Sequence, residues 1–86
     1  MTSIRKHFFK AVDDAENLKK MPSEGVLLDL YGLYKQVTVG DVNVPQPGFL
    51  NIKGRKKWNA WNKRKGMTTE AAMKKYGRIV HKLKNK

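Results

Sequence analysis

Apolar side chains recur every three or four residues through the first half of the chain, which is the spacing of one face of an α-helix. The first such segment covers residues 4–18, and Pro22 follows it at a position where it cannot continue the helical hydrogen-bond ladder. The second segment covers residues 24–39, with Ser23 placed to cap its N-terminus and Gly40 placed to end it. The pattern therefore predicts two amphipathic helices joined by a short turn.

Helical spacing stops between residues 40 and 53, where prolines, glycines and short polar residues that favour turns are concentrated. A connection of this length is uncommon in a small domain unless it packs against the core or carries function. Because the segment also contains Phe49, Leu50 and Ile52, we expect an ordered crossover whose apolar side chains fold back onto the core.

Helical spacing returns over residues 54–65, and again from a cap at Thr68 or Thr69 through Leu83. Gly77 interrupts the last segment at a cost of about 1 kcal/mol relative to alanine, and nothing in the sequence explains it. The chain is thus expected to be a single all-α domain, residues 1–86, with a long loop between its second and third helices. The short turns elsewhere predict that helices adjacent in the chain pack as antiparallel neighbours.

Charge is unevenly distributed along the chain, which carries a net charge of +12. Basic and acidic residues balance up to Asp41, whereas thirteen lysines and arginines follow it with Glu70 as the single acid among them. A field this positive attracts phosphorylated metabolites, nucleic acid or the head groups of an anionic membrane. Charge alone does not separate these three classes of partner.

The composition argues against several kinds of chemistry. The chain has no cysteine, so it lacks disulfides and thiolate ligands, and we expect a reducing compartment, the cytoplasm. We find no apolar run that could span a bilayer and no secretory signal at the N-terminus. The histidines, His7 and His81, lie near opposite ends of the chain and form neither a nucleophile and base arrangement nor a metal-ligand pair. We therefore expect a binding protein with no catalytic residues, no metal and no cofactor.

Two stretches, residues 27–35 and 54–61, set aromatic rings beside lysines at helical spacing. Such a face can stack on a ring and neutralise a phosphate, although aromatic residues at this spacing in a small helical protein more often belong to the core. For Trp58 and Trp61 we expect at least one to be a core residue. Composition leaves two functional interpretations open, a nucleic-acid-binding module and a site for a nucleotide-containing metabolite.

The order of the residues narrows these alternatives. Two separated blocks, YKQVTVGD at residues 34–41 and KKWNAWN at residues 56–62, are followed by a short turn, KGMT, and by AAMKKY. In order and spacing they resemble the acyl-CoA-binding protein family, in its small free-standing form. The resemblance extends from about Phe8 to Leu83, which is nearly the whole chain.

This resemblance implies a four-helix, up-down-down-up bundle in which the second and third helices run parallel. It implies a monomeric intracellular carrier that binds medium- and long-chain acyl-CoA thioesters, does no chemistry on them, hands them to membrane enzymes, and has no nucleic-acid partner. By position, it assigns the acyl-CoA site to five side chains: Tyr31, Tyr34, Lys35, Lys57 and Tyr76. An aromatic ring would stack on adenine while the two lysines neutralise the phosphate on the ribose. Four further residues are weaker candidates for lining the acyl chain: Phe8, Ala11, Leu27 and Leu28.

The chain departs from the family pattern in its charges. Glu16 stands where relatives often carry a basic residue, and Asn59 stands where an acid is common. The usual family member is far less basic, so the excess charge suggests transient contact with anionic membranes, unless the protein simply tolerates it.

Overall fold

The computed structural model describes residues 3–85, and these form four α-helices and no strand. The helices are α1 Ile4–Glu16, α2 Glu24–Thr38, α3 Ile52–Asn62 and α4 Thr69–Lys84. The predicted all-α class is confirmed. None of these helices is both long and apolar enough to cross a lipid bilayer.

Side-chain caps fix where the helices begin. Ser23 Oγ accepts a hydrogen bond from the backbone N–H of Val26 at 3.3 Å, and Thr68 Oγ1 accepts one from Ala71 at 3.1 Å, as predicted for α2 and α4. At α3 the cap is Asn51, whose side chain accepts from the N–H of Gly54 at 2.9 Å. The start of α3 was therefore predicted two residues too late, because asparagine is as typical of a turn as of a cap.

Glycines in the left-handed region follow α2 and α3. Gly40 has φ 103° and Gly66 has φ 88°, a conformation that glycine adopts without steric cost. The terminator predicted at Gly40 is confirmed.

The helices pack in the order α1, α4, α2, α3, with each in contact with the next. Across the last pair, Lys57 lies against Tyr31 and Trp61 lies against Lys35, so α2 and α3 run parallel. The bundle has the up-down-down-up topology. The expectation that helices joined by short turns pack together is wrong for α1 with α2 and for α3 with α4. The connections at residues 17–23 and 63–68 are longer than predicted, and α4 packs between α1 and α2.

The core is built by α1, α2 and α4. Its most deeply buried large side chains are Phe8, Leu33 and Val80, one from each helix. Trp61 of α3 is also buried and lies outside this cluster. Helix α3 is therefore attached to the bundle through α2.

The long loop is held in a different way from the one predicted. Phe49, Leu50 and Ile52 are 78%, 84% and 65% exposed, so the expectation that they fold back onto the core is wrong. The tryptophans hold the loop instead: Trp61 Nε1 donates to the carbonyl of Gly40 at 2.7 Å, and Trp58 Nε1 donates to that of Val44 at 2.8 Å. The loop is ordered through its backbone, which leaves its apolar side chains in solvent.

Asp41 joins the end of α2 to the start of α4. Its carboxylate accepts hydrogen bonds from the backbone N–H of Gly66 and from Gln36 Nε2, both at 2.8 Å. Gln36 Nε2 also donates to the carbonyl of Met67 at 3.0 Å. The N–H of Gly66, and then Gln36, lower the pKa of Asp41 below its usual value because they favour the charged form.

Gly77 occupies an ordinary helical position in α4, and a Cβ built on it would meet nothing within 4 Å. We expect Gly77→Ala to raise the free energy of unfolding by about 1 kcal/mol, because alanine has the better helix propensity. Urea denaturation of the two proteins measures the difference. A lower stability in the variant would show that the glycine is required for packing.

Candidate ligand-binding site

The separation of α2 and α3 is set by a glycine. A Cβ on Gly32 would lie 2.7 Å from the carbonyl carbon of Ala60, and closer still to its oxygen. These are backbone atoms, which cannot turn aside as a side chain can. Gly32 and Ala60 therefore let the two helices approach closely. As a result, side chains of α2 one turn or less from Gly32 lie against α3.

Two lysines lie over aromatic rings along this seam. Lys57 Nζ is 5.6 Å from the centre of the Tyr31 ring, and Lys35 Nζ is 4.7 Å from the centre of the Trp61 ring. Both distances are within the range of a cation–π interaction. The structure thus brings three of the predicted site residues, Tyr31, Lys35 and Lys57, together where α2 meets α3.

The other two predicted tyrosines, Tyr34 and Tyr76, both contact Phe8 of α1. The Phe8 ring stacks on Tyr34 at 6.2 Å and 26°, and it meets Tyr76 edge to face at 5.1 Å. Tyr34 is 38% exposed and can offer its ring to a ligand, whereas Tyr76 is only 5% exposed. Tyr76 therefore offers a ligand little of its surface.

The surroundings of the Tyr76 hydroxyl disfavour its ionisation. Burial raises the pKa of Tyr76 above its usual value, and the nearby Glu16 and Tyr34 raise it further. The phenol is therefore a hydrogen-bond donor and acceptor throughout the physiological range. Glu16, the acid noted in the sequence as a departure, is close enough to act on this group.

The candidates for lining an acyl chain differ in accessibility. Phe8 and Ala11 belong to the core, while Leu28 is half-buried and Leu27 is 40% exposed. The two leucines lie near the start of α2. Because they are less buried than the two residues of α1, they offer more surface to a ligand. The role of all four stays a prediction.

Two ion pairs join α2 to α3 and to the residues just after it, and neither is in the sequence prediction. Lys56 Nζ lies 2.7 Å from Glu24 Oε1 at the start of both helices, and Arg64 Nη2 lies 3.2 Å from Asp29 Oδ1. The hydrogen bond from Lys56 lowers the pKa of Glu24. These pairs are more than thirty residues apart in the chain, so no local pattern indicates them.

The tryptophans of the basic stretch are mainly structural. Trp61 is 5% exposed, which confirms that at least one of them is a core residue. Trp58 is half-buried and holds the loop. Within residues 3–85, no three His, Asp or Glu side chains lie close enough together to hold a metal ion.

Comparisons with known proteins agree with this architecture. A family model described as acyl CoA binding protein matches residues 5–80. A putative acyl-CoA-binding protein from a species of Hypsibius is 44% identical over 84 residues, which cover 98% of this chain and 94% of the relative. Nothing in the fold or in these comparisons supports the nucleic-acid alternative.

Solved structures lead to the same family. Acyl-CoA-Binding Protein 2 of Oryza sativa superposes with a TM-score of 0.89 at 40% identity, covering 94% of this chain and 90% of that one. ACBP from Moniliophthora perniciosa superposes with a TM-score of 0.87 at 34% identity, covering 96% of this chain and 80% of that one. The family model matches most of this chain, and the solved structures share its four-helix bundle. The chain therefore belongs to the acyl-CoA-binding protein family.

Proposed function

We propose that this protein binds medium- and long-chain acyl-CoA thioesters without covalent chemistry and acts as their carrier and buffer. The observation that supports this most directly is the pair of lysines, Lys35 and Lys57, held over aromatic rings where α2 meets α3. The family to which the chain belongs is a family of binding proteins, and a carrier needs binding groups and no catalytic ones.

The lysines and tyrosines suit the nucleotide end of such a ligand. A tyrosine ring can stack on adenine, and two ammonium groups can neutralise the phosphate on the ribose through charge-assisted hydrogen bonds. Because each lysine already lies against a ring, less side-chain freedom is lost when the phosphate binds. Lys35 is also half-buried, which strengthens its interaction with an anion compared with a lysine in open solvent.

Apolar residues near the start of α2 suit the acyl end. Leu27 and Leu28 are accessible there, and each methylene they remove from water contributes about 0.8 kcal/mol. The carrier would work as a cytoplasmic monomer, without a cofactor or metal. It would pass its ligand to acyl-CoA-using enzymes through transient contacts, including contacts at anionic membranes.

We expect Lys35→Ala and Lys57→Ala each to weaken palmitoyl-CoA binding by about 1 to 3 kcal/mol, since each removes a hydrogen bond to a charged group. Isothermal titration calorimetry of the folded variants measures the loss. The matched control is Lys82→Ala, an exposed lysine on α4, for which the change should stay within about twofold. Unchanged affinity in both site variants, with intact circular dichroism spectra, would remove these lysines from the site.

A further inference from the structure

Three large apolar side chains, Phe49, Leu50 and Ile52, form what we call the apolar tip, at the junction of the long loop with α3. Each is at least 65% exposed. The folded protein therefore forgoes the stabilisation that burying these side chains would give. A group of neighbouring exposed apolar residues of this kind marks an interaction surface, whereas a single one does not.

The apolar tip is displayed on an ordered turn. The N–H of Asn51 donates to the carbonyl of Gly48 at 2.9 Å, and the Asn51 side chain caps α3. Arg55 Nη1 reaches back to the carbonyl of Pro47 at 3.1 Å. These bonds hold the backbone on both sides of the tip, so a partner would meet a surface that is already formed.

The side chains around the apolar tip are basic. Lys53 and Lys56 project from the first turns of α3 and are exposed. The acid that faces them is Glu24, whose pKa is lowered by its hydrogen bond with Lys56 and also by the charge of Lys53. The sequence contains no acid between Asp41 and Glu70, so the charged side chains that the loop and α3 themselves supply around the tip are all basic.

We propose that the apolar tip and its flanking lysines dock this protein on anionic lipid bilayers. Apolar side chains can enter the boundary between head groups and acyl chains while lysines stay at the level of the phosphates. Each lysine near an anionic surface strengthens binding by about fivefold. A nucleic acid would contact the lysines but leave Leu50 and Ile52 in water. The combination of apolar side chains with lysines therefore favours a bilayer as the partner.

The position of the apolar tip relates docking to ligand transfer. The Lys56–Glu24 ion pair places the start of α3 beside the start of α2, where Leu27 and Leu28 lie. On the proposed function, the acyl end of the ligand would therefore be at the end of the bundle that meets the membrane. This orientation rests on that function, whereas the docking surface itself does not.

The test is co-sedimentation with vesicles of phosphatidylcholine, with and without phosphatidylserine, in the absence of any acyl-CoA. We expect the protein to bind the anionic vesicles, and the variant Phe49→Ser, Leu50→Ser, Ile52→Ser to bind them about tenfold more weakly or worse. Val39→Ser is the matched control, because Val39 is a 47% exposed apolar residue that caps the other end of α2, away from the apolar tip. Its binding should equal that of the unchanged protein.

Two outcomes would overturn the proposal. One is no binding to anionic vesicles. The other is a triple variant that binds as well as the Val39→Ser control, and loss of binding in Lys53→Gln, Lys56→Gln would then mean that charge alone attracts the protein. Calorimetry with palmitoyl-CoA tests the carrier function separately. If palmitoyl-CoA did not bind, the carrier function would be contradicted and the vesicle result would be unaffected.

Discussion

Palmitoyl-CoA is expected to bind this protein at least about a thousandfold more tightly than free coenzyme A. Each methylene removed from water contributes about 0.8 kcal/mol, so two of them already change the affinity by about tenfold. In the proposed site, the contacts of Lys35 and Lys57 with the nucleotide would be the same for both ligands. The difference therefore measures only the apolar surface that the protein offers to the acyl chain.

Calorimetry with free, octanoyl-, lauroyl- and palmitoyl-CoA would show how far this surface extends. The binding free energy should rise with chain length and then level off at the length that fills the groove. Leu28→Ala should lower the affinity for the long chains and leave the affinity for free coenzyme A unchanged, because the proposed site places this leucine at the acyl end of the ligand. Equal affinity for free coenzyme A and palmitoyl-CoA would contradict the hydrophobic half of the proposal.

Gly32→Val is expected to lower the free energy of unfolding by about 3 kcal/mol, at the upper end of the cost of overpacking a core. The added side chain meets the backbone of Ala60, so α2 and α3 must separate. Since a small domain is stable by only about 5 to 15 kcal/mol, this is a large fraction of the total. Urea denaturation measures the loss.

The control for this substitution lies in the same helix. A Cβ on Gly25 meets nothing within 4 Å, so Gly25→Val should change stability by no more than about 0.5 kcal/mol. Any folded fraction of the Gly32→Val protein should also bind palmitoyl-CoA more weakly, because Tyr31 and Lys57 face each other across the widened seam. Equal stability of the two variants would show that the close approach of α2 and α3 is not needed.

Local patterns predicted the helices because helix formation and capping depend on residues close together in the chain. The repeat of apolar positions, Ser23 as a cap and Gly40 as a terminator all act within one or two turns. The packing order depends instead on contacts between distant segments, and the resemblance to a family supplied the parallel direction of α2 and α3. The exposure of Phe49 and Leu50 was missed because the loop is held by indole hydrogen bonds that involve its backbone.

The candidate site was predictable to a similar degree. The resemblance named Tyr31, Lys35 and Lys57, and the structure brings them together, but the contact of Lys35 with Trp61 depends on how two helices pack. A further signal in the sequence is Gly32, a glycine in the middle of a helical segment. A glycine at such a position indicates that another backbone comes close at that point.

The packing of α1 against α4 has a consequence for how the chain acquires its structure. Helix α1 emerges first during synthesis and finds its main packing partner only in the last of the four helices. Contacts between segments so far apart in sequence slow folding, because a long stretch of chain must be closed before they form. The hydrophobic core therefore cannot be completed until α4 has been made.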